Sequence, residues 1–140
     1  MTNDSMPTTR IEPVDKTHGV LALGCWAFGG EGWGKQDDRD SLDAMREALE
    51  CGMNHFDTAE AYGHGKSEQL VGRAIRDRRE EVFLATKGMP HEATAEEMQN
   101  KLDESLRRLE TATMSLRAQC HLFDHPIQPI ESASLRRPHR

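Results

Sequence analysis

Short apolar runs and amphipathic helical patterns alternate along this chain every 30 residues or so, roughly the length of one βαβ unit. The apolar runs are residues 20–24 (VLALG), 53–56 (MNHF) and 82–86 (VFLAT). The first of them, residues 20–24, is continuous rather than alternating, as strands covered on both faces of a parallel sheet are. No segment repeats another in sequence, so the rhythm belongs to the fold and not to a solenoid.

Between the runs lie three helical stripes. Asp40 or Ser41 caps the first, which carries Leu42, Met45 and Leu49, and Gly52 ends it at the C′ position. Ser67 is placed to cap the second, with Leu70, Val71, Ala74 and Ile75 on one side. Thr94 and Glu97 form a capping box for the third, whose face is Met98, Leu102, Leu106 and Leu109. Glu97–Lys101 and Glu104–Arg108 read as exposed pairs worth about 0.2–0.5 kcal/mol each. A fourth run differs: Ala112, Met114, Leu116, Ala118 and Cys120 alternate with polar residues, a half-exposed strand in which Arg117 would sit awkwardly inside a closed barrel. The expected fold is α/β, a parallel (β/α) barrel of the TIM type represented by about four units. Residues 1–19 are expected to be flexible, 20–131 to form the barrel portion, and 132–140 to be a basic tail.

The net charge of −6 excludes a general nucleic-acid binder, which needs a basic face. Cys25, Cys51 and Cys120 lack CxxC spacing and read as small core residues of a reducing compartment. The polar N-terminus lacks the apolar core of a signal peptide, and no stretch reaches the roughly 18 apolar residues of a membrane span. The cytoplasm is therefore the expected location.

Chemistry concentrates at strand ends. Asp57 closes the second apolar run, Tyr62 follows in a Gly-bounded loop, and Lys87 closes the third run. A free phenol titrates near 10 and is a poor acid around neutrality. An adjacent ammonium favours phenolate, and a carboxylate holds the ammonium charged and oriented. A tyrosine in that setting exchanges a proton with a carbonyl oxygen or an alcohol. His121, after the fourth run, is placed to orient the carbonyl. The C-terminal strand ends of parallel barrels are where such groups act.

These residues resemble the aldo-keto reductase family. The similarity runs through LALGCWAFGG (21–30), GMNHFDTAEAYGHGKSEQLVGRAI (52–75), EVFLATK (81–87) and LDESLRRLE (102–110), and resumes at QCHLFD (119–124) and PIES (129–132). The resemblance implies a catalytic set of Asp57, Tyr62, Lys87 and His121, with Tyr62 as general acid. It further implies NADPH or NADH as cofactor, with Cys25, Trp26 and Asp57 beside the nicotinamide, and a small-molecule aldehyde or ketone as substrate. The segment ATMSLRA is one residue longer than the family's usual strand, and a one-residue slip reverses side-chain direction. His121 is accordingly read either as the carbonyl orienter or as a displaced strand-end histidine.

Plainer readings stand beside these. Asp57 and Lys87 by themselves suit a structural ion pair, and a loop tyrosine usually plugs a surface. Gly65-Lys66-Ser67 is not a phosphate loop, because Glu60 occupies the position of its first glycine. Gly29, Gly30, Gly32 and Gly34 do not follow the GxGxxG spacing. Cys120, His121 and His125 lack a second ligand cluster, so no metal is expected. Four βα units leave open sheet edges, which favour self-association. The expectation is weak or absent reductase activity for these residues by themselves. The alternative is a non-catalytic binding module or relic of the same family.

Overall fold

The structure is a computed structural model and describes residues 6–11, 14–88 and 94–119. Its centre is a four-stranded parallel sheet in the order β3-β4-β5-β6: Ala22–Gly24, His55–Asp57, Phe83–Gly88 and Leu116–Gln119. Three helices join these strands: α1 (Asp38–Glu50), α2 (Lys66–Ile75) and α3 (Ala95–Arg108). An antiparallel pair, β1 (Thr8–Ile11) and β2 (Val14–Gly19), precedes them. The expected α/β fold is thus present as an open parallel sheet; among the described residues it does not close into a barrel.

The core lies between the sheet and its helices. Phe56, Leu84 and Val82 meet Leu42, Met45 and Leu49 of α1, Leu70, Val71 and Ile75 of α2, and Leu102 and Leu106 of α3. The helical stripes read from spacing are these buried faces. Side chains alternate along a strand, so the residues between them face away from the helices: His55, Asp57, Phe83, Ala85 and Lys87. The register places His55 opposite Phe83 and Asp57 opposite Ala85.

Several expectations need correction. The N-terminal segment is not loosely attached where the structure describes it. His18 is buried against the rings of His55 and Phe83, at centroid distances of 4.9 and 4.4 Å. Asn54 pins this hairpin down: its Oδ1 accepts from the Gly19 N–H at 2.8 Å, and its Nδ2 donates to the Glu81 carbonyl at 2.8 Å. Val20 and Leu21 are about half exposed rather than buried, because β3 is an outer strand of the sheet and begins only at Ala22.

Helix α1 starts earlier than expected, since Asp37 is the cap and its Oδ1 accepts from the Arg39 N–H. Its end is as read: Gly52 takes the left-handed conformation (φ 83°) that a C′ glycine supplies. The Thr94 cap accepts from the Glu97 N–H at 3.1 Å. Arg108 is not an exposed partner of Glu104 alone, for its Nε also donates to the fully buried Glu68 at 2.5 Å. Strand β6 covers Leu116–Gln119, with Arg117 paired in register to Thr86 and Ala118 to Lys87. Cys120, His121, His125 and the expected basic tail at 132–140 lie outside the described residues.

Candidate active site

Strands β4 and β5 are parallel neighbours, so their C-terminal ends lie side by side and carry Asp57 and Lys87 to one rim. Lys87 Nζ donates to Asp57 Oδ1 at 2.5 Å and to the Thr58 carbonyl at 2.9 Å. The same nitrogen stands 5.2 Å from the centroid of the Tyr62 ring, within cation–π reach. The two charged side chains are 21% and 37% exposed, enough for a ligand to approach them. The three residues that spacing predicted therefore converge. His121 lies outside the described residues.

The loop carrying Tyr62 is held by backbone contacts to both strands. The Thr58 N–H donates to the Ala85 carbonyl at 2.9 Å and the Glu60 N–H to the Lys87 carbonyl at 3.1 Å. Where the loop crosses the turn after β3, Gly29 lies so close that a Cβ there would stand 2.7 Å from the Tyr62 carbonyl carbon. This crossing brings Trp26 over Tyr62. The two rings stack at 27° with centroids 6.1 Å apart, and Trp33 meets Trp26 edge-on at 5.5 Å. Trp26 and Trp33 are each about half exposed, so they form an open aromatic wall beside the phenol.

Cys25 differs from its neighbour Trp26. Its side chain is fully buried and its Sγ donates to the Leu23 carbonyl at 3.3 Å. Burial, and secondarily the Asp57 charge, push the thiol up to about 12. It is a neutral thiol behind the rim, and its backbone N–H donates to the Asp57 carbonyl at 2.9 Å. His55, on the same sheet face as Asp57, is shifted down by burial and by His18, against the opposing pull of Asp57.

Spacing did not reveal the polar groups beneath the rim. Ser67, read as a helix cap, caps nothing: Gly65 precedes α2 without a side-chain cap bond. Ser67 is fully buried, its Oγ donating to the Cys25 carbonyl at 2.7 Å and lying 2.9 Å from Thr58 Oγ1. Beside it, buried Glu68 accepts from Thr86 Oγ1 at 2.7 Å and from Arg108. A usable signal was present. Ser67 and Glu68 precede Leu70, Val71 and Ile75 at helical spacing, so two polar residues occupy core positions and require partners there.

A carboxylate and an ammonium at adjacent strand ends, with a phenol in the loop that follows and indole rings beside it, suit proton exchange with a polar ligand group. The profile described as the Aldo/keto reductase family matches residues 20–134. The chain belongs to the aldo/keto reductase family. It is 38% identical over 124 residues to Aldo-keto reductase YhdN of Bacillus subtilis, a match covering 81% of this chain and 37% of that protein. It is 36% identical over 97 residues to Methylglyoxal reductase YeaE of Escherichia coli, covering 69% of this chain and 33% of that protein. The fold is also similar to that of an aldo-keto reductase from Klebsiella pneumoniae in complex with NADPH. That match has a TM-score of 0.69 and 31% identity, and covers 79% of this chain and 38% of the other. The chain thus spans between 33% and 38% of the length of these aldo-keto reductases.

A Cβ added at Gly24 would meet nothing within 4 Å, and the half-exposed Trp26 presents a planar face to solvent, so the rim has open space for a flat ligand group. Among the described residues there is no group of three or more His, Cys, Asp or Glu able to hold a metal, and no helix long and apolar enough to cross a membrane.

Proposed function

We propose that these residues form the proton-transfer rim of an NAD(P)H-dependent carbonyl reductase, built on the first four units of a (β/α)8 barrel. The observation that carries this reading is the placement of Lys87 Nζ, bonded to Asp57 and 5.2 Å from the Tyr62 ring. In the proposed reaction the Tyr62 hydroxyl gives its proton to the carbonyl oxygen of an aldehyde or ketone. Lys87 stabilises the negative charge left on the phenol oxygen. Asp57 and the Thr58 carbonyl hold the ammonium in place, and the indole of Trp26 keeps water from one side of the phenol. A bound nicotinamide supplies the hydride. His121 is retained in the proposal as the donor that orients the carbonyl.

Family barrels of this type grip phosphates through loops that follow the last strands. A polypeptide of these 140 residues alone is accordingly expected to show negligible NADPH oxidation. The rim is tested by grafting residues 20–119 into the matching segment of the Bacillus subtilis relative. The chimera is expected to oxidise NADPH with methylglyoxal, and Tyr62→Phe to slow it by about 10²–10⁴-fold. An active chimera indifferent to Tyr62→Phe would overturn the reading.

The second reading is a non-catalytic interaction module. It draws on the open order of the sheet, in which β3 and β6 are the outer strands among the described residues. NADPH fluorescence titration with size-exclusion chromatography separates the two. Association without cofactor binding supports the module, and binding by a dimer supports a rebuilt enzyme.

A further inference from the structure

Three segments meet at the rim, and all three are tied to one residue. The first is the turn after β3, which carries Trp26; its Cys25 carbonyl accepts from Ser67 Oγ at 2.7 Å. The second is the end of β4, where Thr58 Oγ1 lies 2.9 Å from Ser67 Oγ. The Thr58 carbonyl is also an acceptor of Lys87 Nζ. The third is the loop of Tyr62, whose carbonyl accepts from the Ser67 N–H at 3.2 Å. Ser67 is fully buried, as is Thr58, so neither hydroxyl has water as an alternative partner.

Geometry of this kind does more than satisfy a buried hydroxyl. Helix α2 is anchored independently through Leu70, Val71 and Ile75 in the core. Ser67 adds a direct polar tie from that anchored helix to the three segments, beside the backbone bonds that hold Thr58 and Glu60 to β5. A hydroxyl suits this role because it donates in one direction and accepts in another, so one atom fixes two segments.

We propose that Ser67 is a positioning residue that holds the Trp26 turn, the Thr58 carbonyl and the Tyr62 loop in one frame. The proposal rests on the reductase reading for its consequence in catalysis, but its test does not. Tyr62 is the sole tyrosine of the chain, so ring-¹³C-tyrosine labelling of the full chain reports its environment without overlap. Stacking on Trp26 gives those signals a ring-current displacement.

In Ser67→Ala the Tyr62 ring signals are expected to move toward free-tyrosine positions while far-ultraviolet circular dichroism keeps its native form. Thr58→Val, which removes one arm of the junction at constant shape, is expected to move them in the same direction by less. It carries the test if Ser67→Ala fails to fold. Asn54→Ala, at the opposite end of the sheet, is the control and should leave the signals in place. Native ring signals in both rim variants, or an equal displacement in Asn54→Ala, would refute the proposal. An inactive chimera with displaced Tyr62 signals refutes the reductase reading alone. An active chimera with unmoved signals refutes the positioning role alone.

Discussion

At the scale of single residues, the site divides into groups that act at the surface and groups that hold them. Asp57, Tyr62 and Lys87 were legible as polar groups at and just after strand ends, and the family resemblance is what favoured a functional reading over a structural ion pair and a surface tyrosine. Cys25 shows what spacing leaves open: it neighbours an exposed Trp26, yet its thiol points into the core and is fully buried. Iodoacetamide at about pH 8 is therefore expected to label the exposed Cys51 and spare Cys25 until the chain unfolds, as read by peptide mass mapping. The same burial sets a sign for stability. Above about pH 9 the unfolded thiol loses its proton, whereas the folded one keeps it to about 12. The folded state then binds more protons, so the Cys25 contribution to stability falls as pH rises through that window.

At the scale of elements, the helices were more legible than the strands. Stripes of Leu, Met, Val and Ile at helical spacing named the buried faces of all three helices, because a period of 3.6 leaves little choice of side. Strand limits moved by about one to two residues in the first three runs, and the fourth strand begins at Leu116 rather than at Ala112, since register is set by partners distant in sequence and not by the apolar run itself. Helix α2 offers a test in which propensity and packing oppose each other. Alanine at Gly72 should favour the helix by about 0.8–1.0 kcal/mol. A Cβ there would lie 2.5 Å from the Leu109 carbonyl oxygen, a contact with rigid backbone. Gly72→Ala is therefore expected to destabilise the chain by about 1–3 kcal/mol in denaturant melts, because overpacking against the end of α3 outweighs propensity. A stabilised variant would show that the two helices separate freely.

At the scale of the whole molecule, the N-terminal hairpin and the parallel sheet are joined by a few specific contacts. Asn54 connects them through bonds to Gly19 and Glu81, and the rings of His18, His55 and Phe83 pack between them. Asn54→Ala leaves a Gly19 N–H and a Glu81 carbonyl without their partner. It is expected to cost about 1–3 kcal/mol in equilibrium unfolding, with hydrogen exchange in the hairpin accelerated before that of β5. A hairpin that exchanges at the wild-type rate would place the anchorage elsewhere. The polar composition of this segment concealed the attachment, because a polar strand carries no apolar stripe to announce what it covers.

The division between chain and fold follows from how far each interaction reaches. Local periodicity and capping chemistry act within a few residues, so sequence alone determined three helices, the parallel strand–helix order and the strand-end trio of Asp57, Tyr62 and Lys87. Only the tertiary structure decided that Trp26 stacks on Tyr62, that Ser67 joins three loops, and that Glu68 and Arg108 meet. Those contacts join residues 36, 42 and 40 positions apart. Their pairing depends on which loops cross after the strands have aligned, and no local pattern encodes that crossing.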